Sequence, residues 1–286
     1  MAKILEIQLP ANLRERLAQG HPWVYRNHVP AGIRLETGDW VRVYCGSWSA
    51  YAIWDDEGPI ALRIYSERQL PDPEWLLERV RDAWQLRAPL RAAGCTAYRW
   101  LFGEGDGLPG LTVDRYGEYA IAQAYSAATK TLLPYLADAL CECDQSLRGV
   151  VRRTSDENQE TTRQIEVLAG QAPPKQVVIE EYGLRFGVDL ALGQKTGLFL
   201  DQRENRRVVE GLSAEREVLN CFAYTGGFSL YALRGGATAV TSVDIGKGLA
   251  EATENNIALS GLDTTRQEFV TADCFDSRRN RNRAGV

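Results

Sequence analysis

The run EVLNCFAYTGGFSLYALRGGATAVTSVD, from Glu217 to Asp244, decides the fold. Val218 to Phe222 is nearly continuous in apolar residues, as expected of a strand covered on both faces, with Cys221 a buried, inert thiol inside it. Ala223 to Gly227 reads as a tight turn, a helix opens over Phe228 to Leu233, and Gly235 and Gly236 stop it. Val240 to Val243 is the next strand, ending in Asp244. This is a βαβ unit with parallel strands, so the fold class is α/β. A third strand, about Glu268 to Thr271, ends likewise in Asp273. Two carboxylates at adjacent strand tips face a ligand over the carboxyl edge of the sheet, where nucleotide-binding folds grip a ribose hydroxyl pair.

The glycines narrow the ligand. A dinucleotide wants Gly-x-Gly-x-x-Gly, so that helix N-terminal amides meet the pyrophosphate. Here Gly226 and Gly227 are followed by Phe228, Ser229 and Leu230, with no third glycine. S-adenosylmethionine (SAM) carries an adenosine without phosphates and a sulfonium cation, which a tight turn with carboxylates suits better. On spacing alone, an ordinary βαβ unit with capping acids stays open.

Upstream, Ala172-Pro173-Pro174-Lys175 reads as a linker, and Val177–Ile179 and Leu184–Phe186 flank Tyr182-Gly183 as a hairpin. A polar loop, Gly193-Gln194-Lys195-Thr196-Gly197, precedes a helix opened by Asp201 with Glu204 three residues on, the spacing of a capping box. The loop is no phosphate loop, because that motif needs Gly directly before Lys and Gln194 stands there.

The N-terminal region differs. A helix over about 12–19 is followed by strands at Val41–Tyr44, Tyr51–Trp54 and Ile60–Tyr65, alternating with a period of two between turn residues. This is a small β-barrel or meander. Opposite the aliphatic face stand Arg42, Tyr44, Arg63 and Tyr65; such a face can stack bases and hold phosphates, or be an ordinary solvated sheet surface. Asp72-Pro73 starts a connector helix that Pro89 and Gly94 end. Residues 95 to 172 then run strand, Gly-rich turn, two strands, helix, strand, and the Gly103–Gly110 turn is rigid rather than a calcium loop.

Composition sets the outer limits. The chain has 286 residues, 44% hydrophobic and 25% charged, enough for two or three domains with real cores. No apolar stretch is long enough to span a membrane, and the first residues, Met1 to Glu6, do not fit a secretory signal, so a cytoplasmic protein is expected. Six cysteines without zinc spacing read as free thiols, and no metal is expected. The net charge is 33 − 38 = −5, so nucleic-acid contact must come from local patches. Arg278, Arg279, Arg281 and Arg283 crowd one such patch near the end.

Three long motifs together carry a resemblance: Leu219 to Phe228, the upstream Gly193 to Arg203, and Gly103 to Gly117 (GEGDGLPGLTVDRYG). They resemble the bacterial class I SAM-dependent 23S rRNA cytosine-5 methyltransferases that begin with a PUA-like domain, and the likeness runs in order from His21 to Asp273. It implies a PUA-like RNA-binding barrel over 1–68, a connector helix and small central α/β domain over 69–172, and a partial Rossmann-like SAM-binding domain over 173–286. It further implies that Tyr224, Thr225, Gly226 and Gly227 line the methionine side of the cofactor, Asp244 takes the ribose and Asp273 lies by the adenine, with Phe222 a further cofactor contact. The loop carrying Lys195, Thr196, Asp201 and Arg203 would close over them; for Lys195 and Arg203 an RNA phosphate contact or surface ion pair is the alternative.

Cytosine C5 becomes nucleophilic only after a thiolate adds at C6, and the target base must leave its stack. In the resembled family that cysteine follows an Asp-Pro-Pro segment at the end of the fourth strand. This sequence stops thirteen residues after Asp273 without either, so a C-terminally truncated methyltransferase acting on rRNA is expected, with no catalytic residue to name. The competing expectation is a non-catalytic RNA- or SAM-binding protein. Without its fourth strand, the strand at Val218 to Phe222 has an open edge that invites a partner chain, a homodimer included.

Overall fold

The computed structural model describes residues 4–156 and 159–275; the expected arginine patch at 278–283 lies outside them. The described residues pack as two compact units, drawn from 4–89 and 98–173 in one and from 90–97 and 174–275 in the other.

The first unit opens with β1 (Leu5–Gln8), α1 (Arg14–Ala18), β2 (Trp23–Tyr25), β3 (Trp40–Cys45), β4 (Trp48–Trp54) and β5 (Ile60–Ser66). The expected meander β3-β4-β5 is antiparallel, with β1 added parallel to β3 and β2 antiparallel to β5, giving the order β1-β3-β4-β5-β2. Alternation on β3 buries Val41, Val43 and Cys45 and leaves Arg42 and Tyr44 partly open. Ile7, Leu17, Val24, Ala50 and Leu62 complete that core.

Next comes α2 (Pro73–Leu86), capped at its start by the Asp72 carboxylate, which accepts the Trp75 N–H at 2.8 Å. Proline 89 does not end it. The break falls at Arg87, and Pro89 sits in the first turn of α3 (Ala88–Ala92), where a missing N–H costs nothing. A second five-stranded sheet follows from β6 (Ala97–Phe102), β7 (Leu111–Tyr116), β8 (Tyr119–Ala124), β9 (Gly149–Asp156) and β10 (Gln159–Gly170), in the order β10-β9-β8-β7-β6. Two helices, α4 (Ala127–Lys130) and α5 (Leu133–Cys143), connect β8 to β9. The sequence reading ended this region on one strand, but the chain makes the β9-β10 hairpin. Its polar composition hides the alternation, and cross-strand pairs such as Arg152 with Glu166, 2.7 Å apart, support the edge instead. The glycine-rich turn is rigid for a visible reason: Asp106 takes both nitrogens of Arg87 at 2.7 Å, and Glu104 accepts the Gly110 N–H and the Trp23 indole N–H.

The second unit begins with the hairpin of β11 (Val177–Glu181) and β12 (Leu184–Val188). Tyr182 and Gly183 both have positive φ (50° and 83°), the requirement of a two-residue turn that matches strand twist. Then follow α6 (Arg203–Leu212), β13 (Glu217–Cys221), α7 (Gly227–Arg234), β14 (Ala239–Asp244), α8 (Leu249–Leu259) and β15 (Gln267–Thr271). The three strands are parallel, ordered β13-β14-β15, as the βαβ reading required.

Two expectations fail here. The capping box at Asp201 does not form: α6 starts two residues later, Asp201 pairs with Lys195, and Glu204 accepts the Tyr182 hydroxyl at 2.7 Å. Nor is β13 covered on both faces. It is the edge strand among the described residues, Leu219 is 47% exposed, and Cys221 is exposed rather than buried. A continuous apolar run reports composition, not coverage. What fastens α6 to the unit is polar: Arg206 meets Glu181 through two contacts at 2.7 and 2.8 Å, both side chains fully buried, and the Tyr231 hydroxyl donates to Glu181 at 3.0 Å. No helix among the described residues is long and apolar enough to cross a membrane.

Candidate cofactor site

The turn after β13 is built from left-handed backbone. Phe222, Tyr224 and Gly226 have φ of 58°, 50° and 77°, so two side-chain-bearing residues adopt a conformation that ordinarily costs about 1 kcal/mol or more. Such strain persists only where the surroundings fix it. Asp244, at the end of β14, does so: one carboxylate oxygen accepts the Tyr224 N–H at 2.9 Å and the other the Gly246 N–H at 3.0 Å. Ala223 N–H bonds to the Val243 carbonyl, and Asn256 of α8 donates to the Thr225 carbonyl at 3.0 Å. Gly226 must be glycine twice over, because its φ is positive and an added Cβ would overlap the Thr253 side chain.

The polar loop closes onto this turn. The Tyr224 hydroxyl accepts the Gln194 N–H at 2.9 Å and donates to the Gly197 carbonyl at 3.1 Å, while Phe199 meets the Tyr224 ring edge-on at 5.5 Å. Between loop and turn runs a cleft of about 590 Å³, bordered by Gln194, Gly197, Tyr224, Thr225 and the Gly246–Leu249 segment.

Of the expected cofactor residues, Tyr224, Thr225, Gly226, Gly227 and Asp244 come together at the turn. Thr196 is buried in the loop, whereas Lys195 and Asp201 bind each other at 3.0 Å on the exposed side. That pairing holds the Asp201 carboxyl below its ordinary value against the opposing effect of burial. Arg203 pairs with Glu204. Phe222 points outward, 65% exposed, in edge contact with Phe275. Asp273 stands two residues beyond β15, exposed, with its carboxylate accepting the Phe275 N–H at 2.7 Å, and it does not border the cleft. Cys274 lies inside: its thiol accepts the Phe222 N–H and donates to the Val243 carbonyl, and burial pushes its pKa up.

Sequence reasoning missed Asn256, buried to 1% exposure, which joins the Gly187 N–H to the Thr225 carbonyl and so ties hairpin to turn. The one available signal was a polar Asn-Asn pair in the middle of an otherwise ordinary helix. It missed Gly246 as well, whose N–H is the second fixed point of Asp244.

Comparison with known proteins gives the family. Residues 148–285 match the family model of S-adenosylmethionine-dependent methyltransferases, and residues 7–67 match that of PUA-like domains. The ribosomal RNA large subunit methyltransferase I of Aeromonas salmonicida is 34% identical over 284 residues, covering 94% of this chain and 70% of the relative. That of Vibrio cholerae is 37% identical over 273 residues, covering 91% and 68%. The chain belongs to the ribosomal RNA large subunit methyltransferase I family. A solved methyltransferase-fold structure in complex with SAH, SMU.776, superimposes with a TM-score of 0.85 at 24% identity over 99% of this chain and 74% of its own. A Streptococcus mutans structure superimposes at 0.81 and 23%, with the same coverage. At these identities the solved structures speak for the fold.

In this family member the PUA-like match runs from the end of β1 through β5, where the expected RNA face divides. Arg42 and Tyr44 are half-open; Arg42 lies over the Tyr44 and Tyr51 rings at 5.5 and 5.1 Å, and Tyr44 donates to Glu6. Arg63 and Tyr65 turn inward, each 8% exposed. Arg63 pairs with buried Asp55 at 2.9 Å, and Tyr65 donates to the Pro109 carbonyl and packs edge-on against Trp75 of α2. The helix after β5 covers the face that alternation alone left open, so these two are not surface residues.

Proposed function

We propose that this protein transfers the methyl group of SAM to C5 of a cytosine in ribosomal RNA, in the cytoplasm. The observation that carries the reading is Asp244, whose carboxylate accepts the backbone N–H of Tyr224 and of Gly246, two residues that border the cleft roofed by the 194–197 loop. The donor set fits the cofactor. The Asp244 oxygens each accept one backbone N–H and keep lone pairs for the two ribose hydroxyls, and no phosphate-binding glycine pattern competes. Bound SAM supplies an electrophilic methyl on a sulfonium.

The chain's own residues would then divide the work. Tyr224, Thr225, Gly226 and Gly227 hold the methionine side, and Asp244 the ribose. Thr196, with the Lys195–Asp201 pair and Arg203, shapes the loop that excludes water. For Phe222 and Asp273 we propose the adenine side, reached from the outer flank of the turn. Arg42 and Tyr44 offer guanidinium and ring to RNA; Arg63 and Tyr65 support the sheet beneath. No described cysteine is given the attacking role at C6: Cys274 is buried with a raised pKa, the opposite of an activated thiolate. The three-part division at 1–68, 69–172 and 173–286 is part of the same proposal.

Calorimetry with SAM tests the cofactor half, and transfer of labelled methyl to 23S rRNA tests the whole. Asp244→Asn keeps the size of the side chain yet is expected to weaken SAM binding by about tenfold or more, the range of a lost charge-assisted hydrogen bond. Unchanged affinity in that variant would remove the central support. SAM binding without transfer to any rRNA would favour the second reading, a non-catalytic RNA- or SAM-binding protein.

A further inference from the structure

We propose that the first unit carries a site for one nucleotide of single-stranded RNA, built of two chambers on either side of the Tyr65–Trp75 ring pair: an aromatic one for the base and a polar one for its phosphate. It borrows from the function above only the source of the nucleotide.

The aromatic chamber has a volume of about 310 Å³, at the small end for ligand cavities, and is walled by Trp40, Tyr65, Trp75, Leu132 and Tyr135. Tyr65 stands edge-on to Trp40 at 5.3 Å and to Trp75 at 6.1 Å, so the walls meet at steep angles and leave a slot rather than a filled stack. The Tyr135 ring closes the slot from α5 and is 53% exposed, apolar surface that a stacked base would cover. At the rim sits Asp72. Its Oδ1 is fixed by the Trp75 N–H at 2.8 Å, and its other oxygen has no protein partner among the described residues. A carboxylate only accepts, so the slot selects a base with an exocyclic amino group, such as cytosine, over uracil.

The polar chamber, about 460 Å³, shares Tyr65 and Trp75 with the first and is bordered by Arg68 and Arg79. Arg79 lies over the Trp75 ring at 5.8 Å and pairs through one Nη with Asp82, but its Nε is buried without a hydrogen-bond partner. The Arg79 side chain is 38% exposed, and the Nη that Asp82 does not hold can donate to a phosphate oxygen. Arg68 is exposed and free of ion pairs among the described residues. Glu67 and Glu78 share the wall, so the attraction is local, suited to one phosphate and not to a tract.

The test uses the full chain with CMP, UMP and cytidine, read by tryptophan fluorescence, since Trp40 and Trp75 form two walls. Expected are quenching by CMP at millimolar concentration, weaker binding of UMP, and a loss of about fivefold to hundredfold in Tyr135→Ala, the range for one stacked base. Asp72→Asn retains the helix cap, because Asn caps as well as Asp, and is expected to bring CMP and UMP within about twofold of each other. Arg79→Gln should weaken CMP and leave cytidine unchanged. No quenching by any monophosphate, or a Tyr135→Ala protein that binds CMP as tightly as the parent, overturns the site. Failure of the methyltransferase reading shows elsewhere, as absent methyl transfer to rRNA while CMP binding and its loss in Tyr135→Ala persist.

Discussion

The first sheet and the parallel sheet of the second unit both rest on apolar burial and buried polar ties, but in different proportions at β3 and at β13. In the first, period-two alternation on β3 and β4 puts Val41, Val43, Ala50 and Ala52 wholly out of solvent, and Leu62 of β5 joins them. In the second, β13 buries none of its five residues; the apolar core, with Phe186, Leu230, Val240 and Ile257, lies elsewhere in the unit, and buried polar ties add to it: Arg206 to Glu181, Ser229 to Ser242 at 2.7 Å, and Asn256 to the turn. Apolar cores tolerate small losses of contact gradually. Buried polar ties fail by leaving a partner unsatisfied, which costs more than the tie itself contributes.

The largest effect should therefore come from the ion pair. Glu181→Ala leaves the Arg206 guanidinium buried without its carboxylate and the Tyr231 hydroxyl without its acceptor, a loss expected at about 3–5 kcal/mol. Hydrogen exchange followed by mass spectrometry would show it as faster exchange in 177–212. If those amides keep their protection, polar fastening is the wrong description of this unit.

A paired substitution sharpens the contrast. Leu62→Ala empties a fully buried site in β5 and should cost about 2–5 kcal/mol, read as a lower urea midpoint at unchanged m. The same change at Leu219 of β13, already 47% exposed, should cost under about 1 kcal/mol. Equal costs would mean that β13 is as buried as its apolar run suggested.

That misreading shows where the sequence was legible. Alternation gave β3 and β5 to within a residue at each end and the last four residues of β4, and Tyr182-Gly183 gave its hairpin, because the determinants are local: side chains point up or down, and positive φ needs particular residues. The turn at Tyr224 and the acid at Asp244 were equally local, a strand, a bend and a strand tip. What escaped was set by neighbours distant in sequence. Arg63 looks like Arg42 on its strand, but α2 packs over Tyr65 and Asp55 waits for the guanidinium. Asp201 and Glu204 have capping-box spacing, but Lys195 and Tyr182 claim them first. Asn256 could not be placed without knowing that Gly187 and Thr225 flank it.

Asn256→Ala comes next in size. It orphans the Gly187 N–H and the Thr225 carbonyl together, at about 1–3 kcal/mol, and should raise the dissociation constant for SAM more than it lowers stability elsewhere, because the turn loses one of its fixed points. Asn256→Asp, which can still accept from Gly187 but cannot donate to Thr225, should recover stability in part and SAM affinity hardly at all. A variant losing both in proportion would make the residue a simple packing element.

The smallest effect lies on the surface of the same unit. The Glu204 carboxyl is held below its ordinary value of 4.5 by the Tyr182 hydroxyl first, then by Arg203 and Arg207. A depressed folded pKa stabilises the protein above the unfolded value and ceases to do so as the pH falls through the folded one. Glu204→Gln should therefore be less stable than the parent at neutral pH, and the gap should close only on acidification below about 4.5. The group is largely exposed, so the difference is expected under about 0.5 kcal/mol, smaller still in salt. Urea midpoints of parent and variant at pH 7 and pH 4 measure it. A gap that widens toward acid would reverse the sign, and Glu204 would then be a strained acceptor and no part of what holds β11, β12 and α6 together.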